Sequence, residues 1–259
     1  RKIKVYDAHE YFSQLKEIVT RPGIYRFWYF IEKTFLPKFK KGYTVSESIA
    51  IEFSKKYGVE YSIIMNMPLL KNRPVAAFNP NTLVYQGSIN EARGFEFLIP
   101  AMATVNATLF IYGDGNFLEQ AKLLTKEKEL EQKIIFKGKL LPEHLDLATR
   151  TAMIGINLIE PVGKSTVFSL ANKFFDYMHN GIPQVTMDFP EYKRINESYE
   201  VALLIHDLTS ESISTSLSLL LENKEVYFRL QQNCLEARKV YNWQNEEKKL
   251  IEFYKQLKS

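Results

Sequence analysis

The sequence predicts an α/β fold built on a doubly wound parallel sheet. From residue 83 onward, short apolar runs alternate with amphipathic stretches, the pattern of strands that alternate with helices. The apolar runs are continuous, as expected for strands that are covered on both faces. Gly87, Gly113 and Gly138 end three of these predicted strands, and glycine there lets the backbone approach a ligand closely.

The predicted elements fall into two groups. In the first group, the pattern predicts strands at 2–6, 42–45 and 62–65 and helices at 24–40 and 46–57, with Ser46 as N-cap of the second helix. In the second group, it predicts strands at 83–87, 108–112, 133–137, 152–158, 182–187 and 201–205, with helices between them and a charged amphipathic helix at 243–257.

A segment rich in Pro and Asn separates the two groups, and the first group has too few strands for a complete doubly wound domain. We therefore expect a partial Rossmann-like domain at 1–70, a linker at 71–81, a complete Rossmann-like domain at 82–240 and a last helix at 241–259.

The composition excludes several classes of function. A net charge of +4 suits an anionic small molecule or loose attachment to an acidic membrane surface, but is too small to indicate nucleic acid. Cys234 is the one cysteine, so an internal disulfide and a cysteine zinc site are both excluded. No apolar run approaches the roughly 18–20 residues that span a bilayer, and no signal peptide is recognised. The expected compartment is a reducing cytoplasm.

The segment 169–183 is the most informative stretch for function. Asn172, Lys173 and Asp176 come at the start of a predicted helix that ends at Gly181, and a predicted strand follows. In α/β sheets, ligands bind beyond the carboxyl ends of the strands, where helix N-termini offer free N–H groups to phosphate. The segment therefore predicts an anion site with a hydroxyl-binding carboxylate one turn later. The alternative is an ordinary amphipathic helix that buries its aromatic residues in the core.

The order of motifs resembles the retaining glycosyltransferases of family 4, which are two-domain enzymes with the GT-B fold. The motifs are a strand ending in His at Val5–Glu10, then Asn66-Met67-Pro68, Tyr85-Gln86-Gly87, Arg93-Gly94, Gly113-Asp114-Gly115, Phe136-Lys137-Gly138 and Asn172-Lys173-Phe174-Phe175-Asp176-Tyr177-Met178. The chain looks most like bacterial enzymes that build surface polysaccharide. The resemblance also implies that 1–70 lies on the acceptor side and that the last helix crosses back to it.

The resemblance implies a donor site at the carboxyl ends of the strands. Its residues would be Gly87, Ser88, Arg93, Lys137, Gly138, Asn172, Lys173 and Asp176. Asp176 falls on the family's second Glu, which binds the ribose hydroxyls, and Arg93 falls on the basic position that binds the diphosphate. Lys137 and Gly138 fall where the base is read. His9, near the donor sugar and the acceptor, would be catalytic together with Arg93 and Lys173.

The chain departs from the family pattern in three places. Phe168 stands where the family has its first Glu, so the usual contact to the donor sugar is either missing or supplied instead by Glu160 or by the backbone of 162–166. Ser88 replaces an Arg that often follows the strand-ending Gly, which leaves diphosphate binding to Arg93 and Lys173. Most of the N-terminal domain, which normally holds the acceptor, is not in this chain.

The resemblance implies a metal-independent enzyme that transfers a sugar from a nucleotide-diphosphate donor, such as a UDP- or GDP-sugar, with retention of configuration. The acceptor would be a glycan or a lipid-linked glycan, and no further cofactor is expected. The helix at 24–40 is aromatic with basic ends. It would either contact the inner face of the membrane or pack as a core helix between domains. Two alternative functions are a sugar-nucleotide epimerase and a non-catalytic subunit that binds nucleotide sugars.

Overall fold

The computed structural model describes residues 2–257. Its strands are β1 (Val5–Ala8), β2 (Lys41–Thr44), β3 (Ser62–Ile63), β4 (Thr82–Gln86), β5 (Thr108–Tyr112), β6 (Ile134–Gly138), β7 (Ile154–Asn157), β8 (Gln184–Met187) and β9 (Ala202–Ile205). Its helices are α1 (Lys16–Val19), α2 (Pro22–Phe35), α3 (Glu47–Tyr57), α4 (Phe95–Ala101), α5 (Leu118–Glu127), α6 (Pro142–Arg150), α7 (Lys164–Val167), α8 (Asn172–His179), α9 (Pro190–Ser198), α10 (Ser210–Glu222), α11 (Lys224–Val240) and α12 (Trp243–Gln256). None of the helices described within 2–257 combines the length and apolar character needed to cross a membrane.

The large sheet has six parallel strands in the order β6-β5-β4-β7-β8-β9. The chain builds outward from β4 to β6, then returns to the other side of β4 and builds outward again from β7 to β9. The strand order therefore reverses between β4 and β7. In such a sheet the ligand crevice lies beyond the carboxyl ends of these two strands, at Gln86 and Asn157. The prediction of a doubly wound parallel α/β fold is confirmed.

The small sheet has three parallel strands in the order β1-β2-β3. Its core includes Tyr11, Ile49, Phe53 and Tyr61, all buried. The predicted N-cap of α3 is present, since the Ser46 hydroxyl accepts a hydrogen bond from the backbone of Ile49.

The predicted strand at 62–65 is shorter in the structure, at Ser62–Ile63, and two further elements of the first group differ in ways that have a physical explanation. The first strand was expected at 2–6 but runs over Val5–Ala8, because its last residues pair in register with β2 as far as Thr44. His9 therefore follows the strand directly. The aromatic helix was expected to reach 40, but it ends at Phe35 and gives way to a 3₁₀ turn at Leu36–Lys38. Pro37 explains the early end, since it lacks the N–H that would continue the helix ladder beyond Leu36, whose own backbone is still helical.

The last helix lies against the small sheet. Near the start of α12, Trp243 donates its backbone N–H to Pro68 O at 2.9 Å. The buried Glu246 accepts a hydrogen bond from the Met65 N–H at 2.8 Å. Further along the helix, the Phe253 ring packs edge-on against Tyr43 of β2, with 5.2 Å between ring centroids. The chain thus returns from the large sheet to the first part of the molecule.

One tyrosine anchors helix α8 to the large sheet. Tyr177 is fully buried, and its hydroxyl lies 3.2 Å from Gln86 N, 3.2 Å from Val84 O and 3.3 Å from Ile156 O. The ring rests on Gly155 of β7, where an added Cβ would lie only 2.4 Å from Tyr177 Cδ2. The absence of a side chain at Gly155 therefore lets α8 lie across β4 and β7.

Replacing this glycine tests the seat of α8. Gly155→Ala forces the ring or the strand to move, and overpacking of this kind costs about 1–3 kcal/mol of unfolding free energy. The matched control is Gly23→Ala in α2, where an added Cβ meets nothing within 4 Å; it should be neutral or stabilise by up to about 1 kcal/mol. Urea denaturation followed by circular dichroism measures both. Equal midpoints for the two variants would contradict the proposed seat.

Candidate functional site

A cleft of about 380 Å³ opens beyond the carboxyl end of β4, at the point where the strand order reverses. It is lined by Tyr85, Gln86, Gly87, Ser88, Arg93, Leu145, Ala171, Asn172, Lys173 and Asp176. Six of these are residues that the sequence predicts for the donor site. They come from the loop after β4 and from the first turns of α8, which are about 80 residues apart in the chain.

One end of the cleft carries two positive charges. The Lys173 Nζ lies 3.7 Å from the centroid of the Tyr85 ring, and it would lie 3.8 Å from a Cβ added at Gly87. Burial lowers the pKa of Lys173 well below its ordinary value, and the nearby Arg93 lowers it further. Among residues 2–257, no carboxylate forms an ion pair with Lys173 or Arg93. A pair of cations without a protein counter-ion favours a bound polyanion.

The turn that carries Arg93 has an unusual backbone. Ala92 has a φ of 62°, in the left-handed region that non-glycine residues rarely adopt. The turn is held there because Ala92 O accepts a hydrogen bond from the Glu160 N–H at 2.9 Å. Strain of this kind is often kept where it places a functional side chain, and here it comes directly before Arg93.

Asp176 lies one turn into α8. Its Oδ2 accepts a hydrogen bond from Gln86 Nε2 at 2.7 Å. Burial raises the pKa of Asp176 from 3.8 to about 6, and the negative charge of Asp146 adds to the rise, while Lys71 and the Gln86 hydrogen bond oppose it. At neutral pH the carboxylate is ionised and can accept hydrogen bonds from hydroxyl groups.

A second cavity, of about 230 Å³, adjoins the cleft on the other side of Asp176. It is lined by Lys71, Gln86, Pro142, Leu145, Asp146, Thr149, Asp176 and Asn180. Asp146 is held by Arg73, whose two terminal nitrogens lie 2.5 Å and 2.6 Å from its oxygens. Asp176 therefore lies between the cleft that contains Arg93 and Lys173 and a second cavity in which Asp146 is paired with Arg73.

Three predicted site residues lie outside the lining of both cavities. His9 is exposed, and its Nε2 lies 3.0 Å from Asp7 Oδ1. Lys137 places its Nζ over the Phe110 ring, 5.5 Å from the centroid. Gly138 is exposed, and its carbonyl accepts a hydrogen bond from the Gly113 N–H at 2.9 Å.

The structure also shows the surroundings of Phe168, which replaces the family's first Glu, and of Glu160. Phe168 packs against the core of the small sheet. Glu160 lies beside the Arg93 turn, and burial, together with Glu96 and Glu91, raises its pKa. Within 2–257, no group of three or more His, Cys, Asp or Glu residues could hold a metal ion.

The sequence reasoning missed the residues that support Asp176. Gln86 is a buried polar residue that directly follows the apolar run Leu83-Val84-Tyr85, and this exception was visible in the sequence. Thr149 lies on α6, one turn after Leu145, on the face that lines the second cavity. No local pattern indicates that Thr149 meets Gln86, because the two are 63 residues apart.

The raised pKa of Asp176 predicts a cost in stability. The ionised carboxylate is less favourable in the folded chain than in the unfolded chain, so stability falls as pH rises from about 4 through about 6. Asp176→Asn removes this penalty and should raise the unfolding free energy at pH 7.5 by about 2–3 kcal/mol. Urea titrations at pH 7.5 and pH 4.5 measure it, and the gain should shrink at the lower pH. A variant less stable at pH 7.5 would contradict the assignment.

Comparison with solved structures places this geometry among known folds. The Anabaena protein HepE, in complex with UDP and glucose, has a TM-score of 0.76 and 15% identity over 97% of this chain and 71% of that chain. The pneumococcal O-GlcNAc transferase GtfA, in complex with UDP and GlcNAc, has a TM-score of 0.72 and 14% identity over 98% and 53%. Sucrose-phosphate synthase from Thermosynechococcus elongatus has a TM-score of 0.72 and 18% identity over 88% and 61%.

The chain spans 53% to 71% of the length of these three structures. At such low identity the likeness shows the fold, and it confirms the GT-B type of α/β architecture. A search of curated proteins finds no matching sequence. The family model described as glycosyl transferases group 1 matches residues 69–237, which include β4 to α10, most of α11 and the whole lining of the cleft. The chain belongs to the glycosyl transferases group 1 family.

Proposed function

We propose that the protein is a retaining glycosyltransferase that moves a sugar from a nucleoside-diphosphate donor to a glycan or a lipid-linked acceptor. The observation that carries the proposal is the pair Arg93 and Lys173, which no carboxylate within residues 2–257 neutralises, at one end of a cleft that also contains Asp176. A diphosphate matches the cations and a ribose hydroxyl matches the carboxylate. Family membership supports the transfer reaction.

Arg93 and Lys173 would act on the leaving group. When the bond from the anomeric carbon to the phosphate oxygen breaks, negative charge develops on the departing nucleoside diphosphate. Two cations already in place stabilise that charge without reorganisation, because they lie in a partly buried site. These two side chains would supply charge that a metal ion supplies in other transferases, so the proposed reaction is metal-independent.

Retention of configuration would follow from attack on the face that the leaving group occupies. Asp176 is the carboxylate among the residues that line the cleft, and it is engaged by Gln86. We assign it to the ribose and not to the anomeric carbon. The leaving phosphate itself would then receive the proton of the acceptor hydroxyl.

The donor is proposed to be a UDP- or GDP-sugar. UDP is present with a sugar in the structures of HepE and GtfA, which supports a nucleotide of this class. Lys137 and Gly138 remain the proposed base contacts. His9 remains the proposed contact to the sugar and the acceptor, at the carboxyl end of β1.

Removing either cation should abolish the reaction and leave the fold unchanged. Arg93→Ala and Lys173→Ala should each weaken UDP or GDP binding by about 10- to 100-fold, because a charge-assisted contact is lost. Titration calorimetry measures binding, and a transfer assay on the full-length protein measures activity. Lys122→Ala, on the exposed surface of α5, is the matched control.

Wild-type binding and transfer in both variants would contradict the proposal. Donor that changes its sugar in the absence of acceptor would identify the epimerase instead. Tight nucleotide binding without hydrolysis or transfer to any acceptor would identify the non-catalytic subunit.

We also propose that α2 contacts the inner face of a membrane in the cytoplasm, where a lipid-linked acceptor of surface polysaccharide would be found. No residue of α2 is fully buried, which favours the surface contact over the core-helix alternative. Phe27 and Phe30 are 58% and 62% exposed, and Arg26 and Lys33 lie on the same outward face. Exposed aromatic residues beside cations favour an anionic lipid surface.

Vesicle binding tests this contact. The double variant Phe27→Glu with Phe30→Glu should lose most binding to vesicles that contain phosphatidylglycerol, because both the apolar insertion and the charge attraction are weakened. Leu123→Glu, at a residue of α5 that is 58% exposed, is the control and should bind as the unaltered chain does. Sedimentation with vesicles measures the bound fraction. Equal binding by all three chains would contradict the proposed contact.

A further inference from the structure

Two consecutive hydrogen bonds link Thr149, Gln86 and Asp176. The Thr149 hydroxyl donates to Gln86 Oε1 at 2.5 Å, and Gln86 Nε2 donates to Asp176 Oδ2 at 2.7 Å. Thr149 is 1% exposed and Gln86 is 7% exposed, so both contacts are shielded from water. The three residues come from α6, β4 and α8, and they meet at the boundary between the two cavities.

The donor and acceptor of each hydrogen bond are determined by Asp176 at one end and Thr149 at the other. An ionised carboxylate can only accept hydrogen bonds, so the Gln86 amide has to present its NH₂ group to Asp176. The carbonyl of the same amide then faces Thr149, whose hydroxyl is free to donate. The backbone of Gln86 is anchored separately, since its N–H donates to the Tyr177 hydroxyl at 3.2 Å. Hydrogen bonds thus hold both the oxygen and the nitrogen of the Gln86 side-chain amide, and a third holds the Gln86 backbone.

The two oxygens of Asp176 consequently differ. Oδ2 is engaged by Gln86, whereas Oδ1 receives no hydrogen bond from any residue in 2–257. Asp176 lines both cavities, so Oδ1 is the oxygen left for a ligand. The side chain is also one methylene shorter than the Glu that the resemblance expects here. A short carboxylate with one oxygen engaged has less reach toward two neighbouring hydroxyls.

We propose that Gln86, oriented by Thr149, is a positioning residue for ribose recognition, and that it leaves Asp176 Oδ1 as the single acceptor for one ribose hydroxyl. The inference rests on the proposed function, because it takes the ligand to be a nucleoside diphosphate. Gln86 itself makes no contact with the reacting atoms. Its contribution is to keep the carboxylate in one orientation and in its ionised form.

The charged groups around Asp176 come from α6 and from the segment before β4. Asp146 faces it from α6 and raises its pKa, while Lys71, from the segment before β4, lowers it; Asp146 is itself held by Arg73. The Gln86 hydrogen bond also lowers the pKa of Asp176. Loss of the amide should therefore raise that pKa further, and a residue with a purely structural role would not produce this change.

The test compares binding of UDP, GDP and inorganic pyrophosphate by titration calorimetry. Gln86→Leu should bind the tighter of UDP and GDP about tenfold more weakly and bind pyrophosphate as the unaltered chain does. Thr149→Val should show the same pattern to a smaller degree, and Thr149→Ser, which keeps the hydroxyl, should restore binding. Asp176→Asn sets the size of the full loss at this subsite.

A titration of the apo protein adds a measurement that does not depend on the ligand. With ¹³C-labelled aspartate, the carboxyl signal of Asp176 should titrate at higher pH in Gln86→Leu than in the unaltered chain. The single-acceptor part is tested with 2′-deoxy- and 3′-deoxyuridine 5′-diphosphate. One of these should bind about tenfold more weakly than UDP and the other within about twofold.

The outcomes distinguish the positioning role of Gln86, the single acceptor oxygen and the proposed function. Unchanged affinity and unchanged titration in Gln86→Leu, beside a weakened Asp176→Asn, would overturn the positioning role alone. Equal losses for the two deoxynucleotides would overturn the single acceptor. Absence of nucleoside-diphosphate binding by the unaltered chain would overturn the proposed function, and this inference with it.

Discussion

The seating of α8 across the sheet is the constraint on which the candidate site depends. The Tyr177 ring fits onto β7 because Gly155 has no side chain, and its hydroxyl meets backbone groups of both β4 and β7. These are the two strands between which the strand order reverses. Asn172, Lys173 and Asp176 all project from this helix, so their place beside the loop after β4 follows from that one contact.

The described part of the protein, residues 2–257, only partly offsets the cost of burying the charged groups of the site. Burial lowers the pKa of Lys173 and raises that of Asp176, so each group is less favourable in its charged form than it would be in water. A diphosphate beside the cations and a hydroxyl on the carboxylate would relieve both costs. Buried charged groups with shifted pKa values cluster at functional sites.

The small sheet is joined to the large one at the edge of the candidate site. Phe168, where the resemblance expects a sugar-binding acid, packs into the core of the small sheet. At the adjoining loop, an added Cβ on Gly163 would lie 2.3 Å from Gln14 O, so only glycine permits this approach. Lys164 also reaches Glu52 at 2.6 Å. At position 168 the chain has an apolar contact between the two sheets instead of a carboxylate.

The sequence by itself determined the parallel α/β fold, because continuous apolar runs and strand-ending glycines are local patterns. It also indicated Lys173 and Asp176, because the start of a helix can be recognised locally, and it indicated Arg93 through the order of motifs that resembles the family. Only the tertiary structure decided which of the predicted residues share a cleft, and it leaves His9, Lys137 and Gly138 outside the lining of the two cavities. It alone brought Thr149 and Gln86 to Asp176. The physical reason is that strand order and helix seating bring together residues 63 and 90 positions apart, and no local periodicity encodes such contacts.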